Sequence, residues 1–175
     1  AASKQYVLDQ ISAVQNRGVK AWRQSPFSIT SGVVTALEWN AKSNDAFNIH
    51  SLVTNPFLFT LGANEIWQVH VSLAWQIHAN VNGVRTVGFY MGSPPVLFEQ
   101  DTVPATLYTS IQNLSAIFNT VDGFVGGALF RVLVSHNNSG LAPGGDPHAG
   151  TTALDILDAA GGWRSHISLV RLYKP

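Results

Sequence analysis

Between Ile66 and Ala79 the chain reads IWQVHVSLAWQIHA, and this stretch restricts the fold more tightly than any other. Trp67, Val69, Val71, Leu73, Trp75 and Ile77 fall on one side of a period of two, while Gln68, His70, Ser72, Ala74, Gln76 and His78 fall on the other. A helix would scatter those large side chains around its circumference. The spacing predicts a long β-strand whose apolar face must be covered by a second sheet or a neighbouring subunit. Asn82-Gly83 and a β-prone run, Val84 to Met91, come next and predict a hairpin.

The period of two recurs on both sides of this strand. Phe27, Ile29, Val33, Leu37 and Trp39 share one parity, predicting one long strand or two broken near Ser31-Gly32. Lys42-Ser43-Asn44-Asp45 reads as a turn and Phe47 to Val53 as a strand ended by Pro56. Phe57-Leu58-Phe59 is a short strand before a turn at Gly62-Ala63-Asn64. Gly92 to Pro104, with Pro94 and Pro95, reads as an irregular loop, and Leu107 to Asn119 suits a strand or a short helix. Gly123 to Ser135 is a central strand interrupted by Arg131, and His136 to Gly150 is a long loop rich in glycine and proline. Thr151 to Ala160 fits strand or helix, and Trp163 to Tyr173 is the closing strand.

Ahead of these lies a different pattern. Val7, Leu8, Ile11 and Val14 form a stripe predicting an amphipathic helix from Ser3 to about Arg17, and Gly18 to Trp22 continues some of its periodicity before Pro26. The expected organisation is a helical attachment segment, residues 1–25, followed by one β domain, residues 26–175. With short connections and no repeated helical crossovers, that domain is all-β: an antiparallel jelly-roll sandwich with a short N-terminal helix.

Composition narrows the functional classes. Charged residues make up 11% of the 175 residues, against about 25% in an average chain, and there are five tryptophans. So few charges suggest that part of the surface is hidden between subunits. Ten basic residues balance ten acidic ones, leaving no electrostatic footprint for nucleic acid or a membrane surface. No run is apolar enough to span a bilayer, and the start, AASKQYVLDQ, lacks the order of a secretory signal. Without cysteine there is neither a disulfide nor a thiolate zinc site.

The segments, in order, resemble the C1q/TNF-like jelly-roll superfamily, particularly its versions in bacteriophage structural proteins. The matching text is Ala46-Phe47-Asn48-Ile49, then Gly62 to Trp75, then Asn82-Gly83-Val84-Arg85. It continues with Asp122-Gly123-Phe124-Val125 leading to Val132 through Gly140, and closes with Ser165 to Leu172. Trp67 stands where that pattern has a tyrosine, and Asp122-Gly123 reverses its Gly-Asp turn. The resemblance spans about Asn44 to Tyr173 and implies a homotrimer joined by aromatic and aliphatic residues on one sheet. It further implies a non-enzymatic virion protein without cofactor, assembled in the host cytoplasm and placed on the phage head surface as a decoration or cement protein. Its partners would be two further copies of itself and the major capsid protein or another virion protein. A tail or head fibre adhesin that binds a host-surface glycan or protein is the alternative.

Candidate contacts follow. The mixed face of the long strand, His70, Ser72, Ala74, Gln76 and His78, is small and uncharged enough for the trimer contact. Val7, Ile11, Val14 and Trp22, together with His136, Asn137, Asp146 and His148 of the long loop, are candidates for gripping a partner.

The same residues give little basis for a catalytic or metal site. His70 and His78 would lie roughly 26 Å apart on a straight strand, too far to share an ion within one subunit. Three copies of one histidine around a threefold axis, or His136 with Asp146 and His148, could converge, but solvated or hydrogen-bonded roles are the expectation and no metal is assigned. Ser135 and His136 point to opposite faces of a strand, and no G-x-S-x-G elbow accompanies them. A cupin-like metal enzyme would need histidines and carboxylates where the long strand presents Trp, Val and Leu.

Overall fold

The computed structural model describes residues 18–43, 45, 47–76, 83–104, 109–120, 128–137, 153–156 and 165–173. The expected helix over Ser3 to Arg17, with Val7, Ile11 and Val14, lies outside them, as do His78, Asp146 and His148. Every described element is a strand, and every pairing between strands is antiparallel.

The strands are β1 (Gly18–Trp22), β2 (Phe27–Thr30), β3 (Thr35–Ala36), β4 (Ala41–Lys42), β5 (His50–Ser51), β6 (Asn55–Leu61) and β7 (Ile66–Trp75). They continue with β8 (Val84–Met91), β9 (Val96–Pro104), β10 (Ser110–Asn119), β11 (Ala128–His136), β12 (Ala153–Ile156) and β13 (His166–Tyr173). One sheet contains β2, β12, β7, β13, β1 and β4, with β10 along the far side of β7; the other runs β5-β6-β11-β8-β9, with β3 beside β11.

The long strand behaves as its alternation requires. Trp67, Val69, Val71, Leu73 and Trp75 are fully buried between the sheets, while Gln68, His70 and Ser72 remain at least partly exposed. Burying each such side chain stabilises the fold by about 1.5–3 kcal/mol. Phe118 of β10 reaches across to Phe89 of β8 and Phe130 of β11, with ring centroids 5.7 and 5.2 Å away, so aromatic contacts join the two layers. β10 settles its ambiguity as a strand: Gln112, Leu114 and Phe118 point inward, and Ile111, Asn113, Ser115 and Ile117 point outward.

Several expectations are corrected. β7 and β8 do not form a hairpin, because β10 and β13 occupy the two sides of β7, and β8 pairs with β9 and β11 in the opposite sheet. Gly92 to Pro104 is not an irregular loop: its prolines Pro94 and Pro95 sit in the turn, and Val96–Pro104 returns as β9, an edge strand that tolerates Pro104 at its end. Gly18 to Trp22 continues no helix but forms five pairs with β13, so the sandwich takes in these residues. The run Phe27 to Trp39 breaks at Ser31-Gly32, where Gly32 adopts φ 75° and the chain crosses from the first sheet to the second.

Of Phe47 to Val53 only His50–Ser51 forms strand, as β5. The Asp45 carboxylate accepts the backbone N–H groups of Ile49 and His50 at 3.0 and 2.9 Å, holding a bend where a ladder was expected. Pro56 is the second residue of β6 rather than the end of a strand.

Candidate functional site

The first sheet presents its outer face as the candidate contact surface. Strand register determines who shares it. Ala74, Ser72, His70 and Gln68 of β7 stand opposite Ile111, Asn113, Ser115 and Ile117 of β10. On the other side, Ser72, His70 and Gln68 face His166, Ser168 and Val170 of β13, which in turn face Trp22, Lys20 and Gly18 of β1. Lys20 is the only charged residue among these positions.

Apart from Lys20 at its β1 side, this face is uncharged, and it is also apolar. Ile117, Ile111 and Val170 are 59%, 47% and 38% exposed, large values for branched aliphatic side chains on a sheet. Between them lie polar groups, of which His70 is engaged on both sides. The His70 Nδ1 lies 2.7 Å from Ser115 Oγ, and the His70 and His166 rings are 6.0 Å apart. A polar pair satisfied within the chain, such as His70 and Ser115, can be covered by another protein surface without losing its hydrogen bond.

The expected contact residues His70, Ser72 and Ala74 are thus brought together on one face. Ala74 is already buried within the chain, and Gln76, just past β7, turns its carbonyl and side chain to Arg85 and to the Asp155 backbone. Sequence reasoning missed Ile111, Ile117, Ser168 and Val170; their signal was the alternation of β10 and β13, readable only once those segments were known to flank β7. Of the expected partner-binding residues, Trp22 is half-buried on this same face. His136 is buried, with Nε2 2.7 Å from the Ile29 carbonyl, and the exposed Asn137 uses its side-chain oxygen to accept the Val84 N–H at 2.6 Å. Trp39 lies in the core.

Two polar clusters brace the ends of the sandwich. Glu65, buried before β7, accepts the Trp67 indole N–H at 2.9 Å and pairs with Arg171 at 2.8 Å, while Arg171 lies 3.7 Å from the Phe47 ring centre. Arg85 is fully buried beside Trp75, donates to Ser110 Oγ and to the Gln76 carbonyl, and has its pKa lowered by that burial. Neither cluster resembles a reaction centre, and among the described residues no three His, Asp or Glu side chains converge on a possible metal position. No helix among them is long and apolar enough to cross a membrane.

The architecture is that of a C1q/TNF-like jelly roll. The globular domain of zebrafish complement 1qA protein superposes with a TM-score of 0.54 at 9% identity, over 91% of this chain and 99% of that one. Eiger TNF from S. frugiperda superposes with a TM-score of 0.55, also at 9% identity, over 90% and 92% of the respective chains. These likenesses establish the fold. No family model matches the sequence, and no curated protein matches it.

Proposed function

We propose that the chain is a non-enzymatic, homotrimeric bacteriophage virion protein that decorates or cements the capsid, with three copies meeting through the outer face of the β7 sheet. The observation that carries the assembly reading is the uncharged surface around Ser72, with Ile111, Ile117 and Val170 exposed. A threefold contact is heterologous, so such a face needs a different patch on its neighbour. The edge strand β9 offers one, since Val96, Leu97 and Phe98 are all exposed and Phe98 bulges out of register beside Phe118. An exposed apolar edge is a liability unless something covers it.

The virion role draws on the ordered sequence segments that resemble phage structural proteins. Because Gly18–Trp22 is paired into the sheet, an attachment segment ends at or before residue 17 in this reading. Deleting residues 1–17 leaves every described strand intact and is expected to abolish co-sedimentation with undecorated phage heads while preserving the β-sheet circular dichroism signal. Equal co-sedimentation of the shortened chain would overturn the attachment role, and failure of the full chain to bind heads would overturn the capsid role.

A further inference from the structure

β7 and β13 set two imidazoles side by side on the outer face of the first sheet. His70 stands opposite Ser168 in register and His166 opposite Ser72, so the two histidines are diagonal neighbours on adjacent strands. Their rings approach to 6.0 Å between centroids, with planes 51° apart. Both residues are half-buried, held against the sheet yet reachable from outside it.

The His70 ring is oriented from its other side. Ser115 stands directly opposite it in β10, with Oγ 2.7 Å from His70 Nδ1. Nδ1 and Nε2 lie on opposite edges of an imidazole, so turning Nδ1 towards β10 directs the Nε2 edge away from β10, to the side of β13 and His166. When Nδ1–H donates to the Ser115 hydroxyl, the Nε2 lone pair is available to a ligand. Histidines that bind metals are commonly held in this way, the ring nitrogen remote from the ion donating to a fixed oxygen.

The separation suits one shared ion. With a metal–nitrogen bond of about 2.1 Å, two imidazoles on one ion have ring centroids roughly 5 Å apart at a tetrahedral angle and roughly 6.5 Å apart when they stand opposite each other. The observed 6.0 Å falls between these limits. Lys20, opposite Ser168, is the only charge among the outward positions paired across this face, and as an exposed lysine it can hold its ammonium in water. The site therefore offers nitrogen and no carboxylate. Ca²⁺ and Mg²⁺ take oxygen ligands, whereas imidazole suits Zn²⁺, Cu²⁺ and Ni²⁺.

We infer that His70 and His166 together bind a divalent transition-metal ion, through Nε2 of His70 and a ring nitrogen of His166, with water completing the coordination. The pair lies on the proposed contact face, but both ligands belong to one chain, so the inference requires neither the trimer nor the virion role.

The test is titration of the full chain, stripped with EDTA and exchanged into metal-free buffer, with CuCl2, ZnCl2 and CaCl2. Trp22 stands opposite His166 in β1 and reports on the site, because bound Cu²⁺ quenches a nearby indole. Cu²⁺ is expected to quench part of the tryptophan emission and to saturate at one ion per chain. Zn²⁺ should bind more weakly and compete with it, in the general order of affinities for these ions, and Ca²⁺ should do neither. His70→Ala and His166→Ala are each expected to weaken binding about tenfold or more. The double variant His78→Ala/His148→Ala should bind like the parent. Should a single variant fail to fold, ¹⁵N imidazole spectra of the parent decide, since Zn²⁺ must displace ring-nitrogen resonances of both His70 and His166. The inference is overturned if neither Cu²⁺ nor Zn²⁺ binds, if Ca²⁺ binds as well as they do, if folded single variants bind like the parent, if the double variant loses binding, or if either ring fails to respond. A parent that is monomeric yet binds the ion would overturn the trimer and uphold the site.

Discussion

Replacing Glu65 with Gln probes the brace that closes one end of the sandwich. The carboxylate is 4% exposed and receives two donors, the Trp67 indole at 2.9 Å and Arg171 at 2.8 Å. Glutamine offers one oxygen and one NH2 group in the same space, so one of those donors must face another donor. A hydrogen bond to a charged group contributes about 1.5–3 kcal/mol, and breaking a deeply buried pair costs about 3–5 kcal/mol. Arg171 is 23% exposed and can turn partly to water, which places the expected loss near the lower of these ranges, about 2–3 kcal/mol. For a chain of this size that is a fall in Tm of roughly 4–12 °C. Calorimetry of Glu65→Gln, Arg171→Met and the double variant, at one fixed chain concentration so that assembly does not shift Tm, should give a coupling of at least about 1 kcal/mol. Additive effects, or a Glu65→Gln melt within about 2 °C of the parent, would refute the brace.

Other perturbations separate the layers of the account. Leu73→Asp places a charge in the fully buried face of β7 and should leave no cooperative melt, whereas a native-like transition would show that this face is not the core. Acid should act in two stages. His50 has its pKa held below 6.5 chiefly by burial, so the unfolded ring takes up a proton that the folded one refuses; stability falls as pH drops below 6.5 towards the folded value. Tm followed from pH 7 to pH 5 should therefore decline less steeply in His50→Phe, and parallel curves would contradict the assignment. Burial opposes ionisation of Asp45, but hydrogen bonds from the Ile49 and His50 backbones and from Lys42 outweigh it and hold the pKa below 3.8. Its contribution is present above pH 3.8 and lost as pH falls through the folded value, so Asp45→Asn should flatten that lower arm of the Tm curve.

Much of the fold was legible because alternation is a local signal. The inward residues of β7 can be read from parity alone and are buried as expected, and Phe130, Val132 and Val134 of β11, which share one parity, are buried too. Pairing is not local. Asn82-Gly83 suggested a hairpin, yet nothing in those residues reveals that β10 and β13 already occupy both sides of β7. β9 was obscured by its prolines, since two lie in the turn before it and one at its exposed end. Helical periodicity in Gly18 to Trp22 misled because five residues satisfy a helix and a strand almost equally well. The proposed contact face was half visible: His70 and Ser72 lie on it, but Ile111, Ile117 and Val170 join them only through register.

The central claim is that the β7 sheet joins three copies. Native mass spectrometry of the full chain at micromolar concentration should find a species of three times the 18.9 kDa subunit mass. Ser72→Arg, which sets a long cation in the middle of the proposed contact, should yield folded monomer under the same conditions. A monomeric parent, or a variant that assembles as the parent does, would contradict the claim.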